Sequence, residues 1–236
     1  MNVVEQYNLT LQIEVLKEQS AETLARLCNL VEGSGTSDCV ELLKAYSHIV
    51  NTELYLATSI HELDILKLDM VKLENTITES LAQASHDISD VKAVKETSDV
   101  QAIESYNSED FEKALERTIN LLTFNKNISS TPSAVILGGQ SGAGKTTIHR
   151  VKMLESKGNY IVIDGDTYRA QHPYFRELQE KYGVDSVDYT KMFAGKMVEA
   201  VIDKLSSLKY NLIIEGTLRS AAVPINTATL LKSKGY

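Results

Sequence analysis

Gly139-Gln140-Ser141-Gly142-Ala143-Gly144-Lys145-Thr146 fits the pattern G-x-x-x-x-G-K-[ST] at every fixed position. These residue types suit the holding of phosphate. Glycines let backbone N–H groups turn inward around phosphate oxygens. The lysine can reach the β- and γ-phosphates, and the hydroxyl of Thr146 can hold Mg²⁺. Thr147 opens the rest of a helix-compatible stretch, "TTIHRVKMLES", whose N-terminus would add a positive dipole end. The preceding "AVILGG" is a short, continuous apolar run of the kind expected in a buried parallel strand. A strand before and a helix after mark a nucleotide-binding loop, with ATP and Mg²⁺ as the expected cofactors.

Two further apolar runs end in polar residues. "YIVIDGD" runs into Asp164 and Asp166, and "YNLIIEGTLR" runs into Glu215, Thr217 and Arg219. Ligands of parallel α/β sheets bind at the carboxyl ends of the strands, so all three endings are expected on one edge. Phosphoryl transfer needs a carboxylate at the acceptor hydroxyl and often another near the metal. Asp166 and Glu215 are the candidates. Asp164 reads more simply as a cap or turn residue. His149, one turn into the helix after the loop, reads as a packing or surface residue. His172, before Pro173, is an open case between structure and substrate contact. Glu199 falls in a helical stretch where an exposed glutamate is the default.

The elements that must position these groups divide the chain in two. Residues 1–132 contain two glycines, whereas residues 133–236 contain ten; Pro132, Pro173 and Pro224 also lie at or beyond that boundary. Glycine-poor, proline-free sequence suits packed helices, and glycine at strand ends suits α/β turns. In the front half Ser20 can cap a helix with Leu24, Leu27, Cys28 and Val31 on one face. Ser37 or Asp38 can cap a second, with Leu42, Leu43, Tyr46, Ile49 and Val50. Ser59 can open a third, in which Leu63, Leu66, Met70, Leu73 and Ile77 alternate by three and four. That is the spacing of a bundle seam. The earlier run "YNLTLQIEV" alternates by two, which favours a strand locally. "SDVKAVKETSDVQ" reads as a linker or a fraying helix end. "SEDFEKALERTINLL" then opens with Ser108 as cap and Phe111, Leu115, Ile119 and Leu122 as its apolar face.

Composition narrows the function classes. Net charge is −8, and residues 1–100 hold 17 acidic and 7 basic side chains against 15 and 17 in residues 101–236. An acidic front half argues against a nucleic-acid-binding arm. Cys28 and Cys39 are too few for a disulfide framework and suit a reducing cytoplasm. No apolar run approaches the roughly 20 residues of a membrane span, and "MNVVEQYNLT" lacks the features of a signal peptide. The expected location is the cytoplasm.

With these motifs in view, the sequence resembles the zeta toxins, the kinases of epsilon/zeta toxin–antitoxin systems. "LGGQSGAGKTTIHR", "VIDGDTYRAQHP", "YNLIIEGTLR", Val223-Pro224 and "TATLLKSKGY" follow the family's order across residues 103–236. The resemblance implies an ATP-dependent kinase that phosphorylates the 3′-hydroxyl of UDP-N-acetylglucosamine. Carried over by motif, Lys145 and Thr146 hold phosphate and Mg²⁺, and Asp166 is the base. Glu199, Glu215, Thr217 and Arg219 occupy substrate-pocket positions, with His172 and Thr227 as weaker matches. "YNLTLQIEVLKEQSAETLARLCNLV" resembles the epsilon antitoxin, a three-helix bundle, which would make the strand-like run helical. Epsilon lays its N-terminal helix across the zeta nucleotide site, so inhibition in cis, or between two copies, is implied. A zeta domain also continues past "KGY" into further strands and lid arginines, which this sequence lacks, so a fragment or truncated product is expected.

The expected architecture is therefore α + α/β. Residues 1–96 form an epsilon-like three-helix bundle and linker; residues 97–236 form part of a P-loop kinase domain with a parallel sheet. Other readings stand beside it: a P-loop kinase for another small molecule, an inactive nucleotide- or partner-binding remnant, and an unrelated bundle used for dimerisation.

Overall fold

The first 34 residues decide between two periods. Leu9, Leu11, Ile13 and Val15 alternate, yet only Leu9 and Ile13 are fully buried, while Leu11 and Val15 are each 47% exposed. The four-residue spacing wins, and the run is the start of helix α1, Val3–Ser34. This overturns the local strand expectation and agrees with the helix implied by resemblance. Ser20 is inside α1 rather than at its start. Its hydroxyl donates back to Leu16 O at 2.6 Å, which removes it from any capping role.

A computed structural model of the chain describes residues 3–34, 37–86, 105–139, 143–216 and 220–236. Helix α2, Ser37–His48, runs through a π-helical turn, Ile49–Glu53, into the short α3, Leu54–Leu56. Helix α4, Ile60–His86, starts as expected after Ser59, whose Oγ accepts from Glu62 N at 3.2 Å. The Glu62 carboxylate in turn accepts from Thr58 N at 2.6 Å. Leu63, Met70 and Ile77 are buried along the seam that the sequence marked, with Leu66 and Leu73 packed beside them. The expected linker lies in residues 87–104, outside the described residues.

The second half begins with α5, Ser108–Thr123, capped by Asn107 rather than Ser108: Asn107 Oδ1 accepts from Asp110 N at 2.8 Å. Then follow β1 (Ala134–Gly138), α6 (Lys145–Glu155) and β2 (Ile161–Asp164). A 3-10 segment, Gly165–Gln171, leads to α7 (Phe175–Tyr182) and, through a short turn, to α8 (Ser186–Ser207). The chain closes with β3 (Leu212–Gly216) and α9 (Ala222–Ser233). The three strands are parallel in the order β1-β3-β2. Their ends fall where the sequence placed them.

Strand pleating sorts the sheet residues onto two faces. Ile161, Ile163, Leu212 and Ile214 pack with Phe193, Met197, Val201 and Leu205 of α8, with the apolar face of α5 alongside. Leu137, Val162 and Ile213 face the other way. They share one core with Leu27, Val50, Leu54 and Tyr55 of the front half. The helical front half is thus a layer of the α/β fold, since it covers a face of the sheet.

A second contact seats that layer. Gly158, between α6 and β2, has φ +83°, and a Cβ there would meet Thr52 Cγ2 at 2.9 Å. Lys126 Nζ donates to Thr52 Oγ1 at 2.7 Å and also to Gly158 O, tying the π-helical turn to this loop. Because one core spans both halves, Ile213→Ala is expected to cost about 2–5 kcal/mol. Denaturant unfolding followed by probes in α4 and in α8 should give coincident transitions. Separate midpoints would show two cores.

Candidate functional site

The sheet register brings the chemistry together. Leu137, Glu215 and Asp164 are aligned across β1, β3 and β2, two residues beyond the apolar row Val135, Ile213 and Val162. Alternation therefore points Glu215 and Asp164 to the face covered by the helical layer. Both stand at strand ends, beside the glycine-rich loop. Asp164 also does what a cap does: its Oδ1 accepts from Asp166 N at 3.1 Å.

The loop has the geometry its sequence requires where it is described. Gly144 is left-handed, with φ +80°, and immediately precedes α6. The α6 N-terminus thus opens directly onto the loop, with the positive end of its dipole there. Lys145 Nζ donates to Gly139 O at 3.1 Å and lies 3.9 Å from Glu215 Oε2. Thr146 is buried at the first turn, and Thr147 is exposed with its N–H on Gly144 O at 3.1 Å. Gly139, Ala143, Gly144, Lys145 and Thr146 could hold a triphosphate with Mg²⁺, the buried Thr146 being the residue that would face the metal. Gln140, Ser141 and Gly142 lie outside the described residues.

Lys17 of α1 enters this site. Its Nζ lies 3.4 Å from Asp164 Oδ2 and 3.4 Å from Glu215 Oε1, and the side chains are 12%, 24% and 11% exposed. Burial pulls the Lys17 pKa down. The neighbouring Tyr55 oxygen and the Asp164 and Glu215 carboxylates more than offset this, so the ammonium is held above its ordinary value. Glu215 is pushed above the usual carboxylate range by burial. Asp164 adds to that shift, while Lys17 and Lys145 oppose it.

His149 completes the cluster. It is 1% exposed, with Nε2 at 3.0 Å from Glu215 Oε1, but neither ring nitrogen has a partner in hydrogen-bond geometry. Its ring meets Tyr55 edge-on at 5.5 Å. Burial and the nearby Lys17 ammonium lower its pKa to about 3, so it is neutral. His149 is thus the packing residue of the two that its sequence position allows, and the fold alone sets it beside Glu215. Arg150, its neighbour, donates to Thr10 Oγ1 at 2.9 Å and to Ala57 O at 2.7 Å, fastening α6 to the helical layer.

Other expected residues are placed apart from this cluster. Asp166 is at the start of the 3-10 segment with its side chain 80% exposed, and Oδ1 accepts from Arg169 Nε at 3.2 Å. Glu199 is exposed on α8, and Thr227 is half-buried on α9. His172 is 1% exposed, packed against Tyr106 and Phe193, with Nδ1 accepting from Tyr174 N at 3.2 Å. This is the setting of a core histidine, and burial lowers its pKa to about 4. Thr217 and Arg219 lie outside the described residues. Lys17 was missed altogether. One signal was available: it stands four residues after Ile13 and three before Ser20, on the stripe that α1 buries.

Comparison with known proteins bears on this arrangement. The zeta toxin family model matches residues 119–236, half of the chain. The chain belongs to the zeta toxin family. The bacterial epsilon antitoxin model matches residues 5–80, the helical layer. Toxin PezT of Streptococcus pneumoniae is 60% identical over 134 residues, which are 57% of this chain and 53% of that protein. Toxin zeta of Streptococcus pyogenes is 43% identical over 134 residues, 57% of this chain and 47% of that protein. A solved chain of the PezAT chromosomal toxin–antitoxin system of Streptococcus pneumoniae superposes with a TM-score of 0.56 at 60% identity. It covers 57% of this chain, which covers 56% of it. This zeta-family chain spans about half the length of the curated relatives it matches.

The buried histidines give the zeta-family chain a pH signature. For His149 the folded value is below the unfolded 6.5. The stability from its neutral burial is thus full above pH 6.5 and is lost as pH falls toward about 3. His172 acts with the same sign from 6.5 toward about 4. Glu215 opposes them, since its raised value favours the fold as pH falls through it. The histidine contributions run across the whole window from pH 6.5 to about 4, so the melting temperature should fall with acidification below pH 6.5. His149→Gln should flatten that fall by about half. An unchanged slope would refute the assignment.

Proposed function

We propose that this chain is an ATP-dependent kinase of the zeta type, acting on the 3′-hydroxyl of UDP-N-acetylglucosamine and restrained in cis by its own epsilon-like layer. The observation that supports this reading most is the seat of Lys17, between Asp164 and Glu215 and next to the lysine of the phosphate loop.

The chemistry asked of the chain is modest, because phosphoryl transfer rests mainly on positioning and charge stabilisation. Gly139, Gly144 and Lys145, with Gln140 to Ala143 between them, would hold the triphosphate. Thr146 would hold the Mg²⁺ that neutralises it. Asp166 is suited to take the proton of the sugar hydroxyl. Its carboxylate is exposed, and its backbone N–H is held by the Asp164 side chain. Glu215 and Asp164 form the anionic floor of the site. Glu199, Thr217, Arg219 and Thr227 are proposed sugar-nucleotide positions by family likeness, whereas the core setting of His172 removes it from that set.

Lys17 neutralises that floor, and α1, which carries it, packs against both α6 and the 3-10 segment. Asp164 and Glu215 would otherwise be two carboxylates side by side in a half-buried site. A cation from α1 and a metal–nucleotide complex therefore satisfy the same demand and exclude one another. Restraint in cis needs no partner chain, because residues 5–80 and 119–236 are covalently joined.

The test uses the whole 236-residue chain. Lys17→Met should raise the affinity for a non-hydrolysable ATP analogue by about tenfold or more, roughly 1.4 kcal/mol, measured by calorimetry. That variant should transfer phosphate from labelled ATP to UDP-N-acetylglucosamine, and Asp166→Ala added to it should abolish transfer while leaving analogue binding intact. Unchanged affinity would remove the cis restraint. Nucleotide binding without a phosphorylated sugar would leave a nucleotide-binding protein and sink the kinase.

A further inference from the structure

Helix α1 does more than reach the nucleotide side. The 3-10 segment Gly165–Gln171 carries Asp166, and α1 packs directly against it. At the front of the segment, Lys17 is paired with Asp164, the residue whose side chain caps it. At its far end, Gln171 Oε1 accepts from Arg117 Nη2 at 2.6 Å. The same guanidinium is paired through Nη1 with Glu32, near the end of α1. Lys17 and Glu32 are 15 residues apart, about 22 Å along a helix. One rigid helix thus engages both ends of one segment.

Between the two grips the contact is open. A cavity of about 50 Å³ lies there, lined among others by Lys17, Leu24, Thr167, Tyr168 and Gln171. The Tyr168 hydroxyl is buried without a hydrogen-bond partner. The segment is therefore fixed to α1 at its ends by charge and is not packed tightly against it in the middle. The other side of the segment packs on α8, with Tyr168 in that core, so loss of an end contact loosens the side that faces α1, where little apolar packing holds it.

We propose that α1 governs the acceptor side of the site as well as the nucleotide side, by holding the Asp166-bearing segment through Lys17–Asp164 and Glu32–Arg117–Gln171. Arg117 and Gln171 are then positioning residues: they act on Asp166 through the backbone between them. This rests on the role given above to Asp166, but the mechanical coupling does not require turnover.

Amide hydrogen exchange on the intact chain tests it. Glu32→Gln removes one charge at an exposed side chain, so the fold should survive. Exchange within residues 165–171 should quicken about five- to tenfold, as expected for losing one charge-assisted contact, with α9 unchanged. Affinity for the non-hydrolysable ATP analogue should stay as in the parent chain. Arg117→Lys, which cannot span both Glu32 and Gln171 with a planar fork, should quicken the same amides. The proposal is overturned if both variants leave residues 165–171 at the parent rate, or if the acceleration spreads equally to α9. Absence of kinase activity would touch only the reading of Asp166 as base; the exchange result stands apart from it.

Discussion

Two carboxylates at neighbouring strand ends set the terms for this molecule. Glu215 and Asp164 sit in register on adjacent parallel strands, on the same face, and both are mostly removed from water. A buried pair of like charges needs a cation or a proton. Lys17 supplies one from α1, and Lys145 stands near on the other side. His149, pressed between Tyr55 and Glu215, stays neutral because burial disfavours its charged form and Lys17 already supplies a cation. The site is thus organised around a charge balance to which both halves of the chain contribute.

That balance works only because the helical layer is anchored elsewhere. Val162 and Ile213 would be a bare apolar row without Leu54, Tyr55 and the other core residues of the front half. Arg150 holds α1 and the end of α3 against α6, Lys126 holds the π-helical turn against the loop before β2, and Arg117 links the end of α1 to the 3-10 segment. These contacts ring a hydrophobic interface with half-buried cations. Burial alone costs the Lys126 ammonium enough to bring its pKa to about 8. The cation that Lys17 brings to the carboxylate pair and the stability of the fold therefore rest on one interface, and a change that loosens the first will also weaken the second.

The sequence by itself settled the local matters. A loop of fixed glycines with a lysine and a hydroxyl has few alternatives, and it is followed by the helix that its pattern calls for. Strand ends at Leu137, Asp164 and Glu215, the seam of α4 and the cap at Ser59 were all legible, because period and capping are short-range properties. The start of α1 was not. Alternation by two and spacing by four coexist in "YNLTLQIEV", and only the neighbour it packs against selects one.

Tertiary structure decided everything that depends on distant pairs. Nothing within α1 tells a lysine on its stripe from a packing fault. The partners that make Lys17 meaningful lie 147 and 198 residues away. The same holds for His149, whose neighbours come from β3 and α3, and for His172, whose aromatic surroundings make it a core residue. Sequence spacing records what one element can present; only the fold brings a cation from one half to the paired carboxylates of the other.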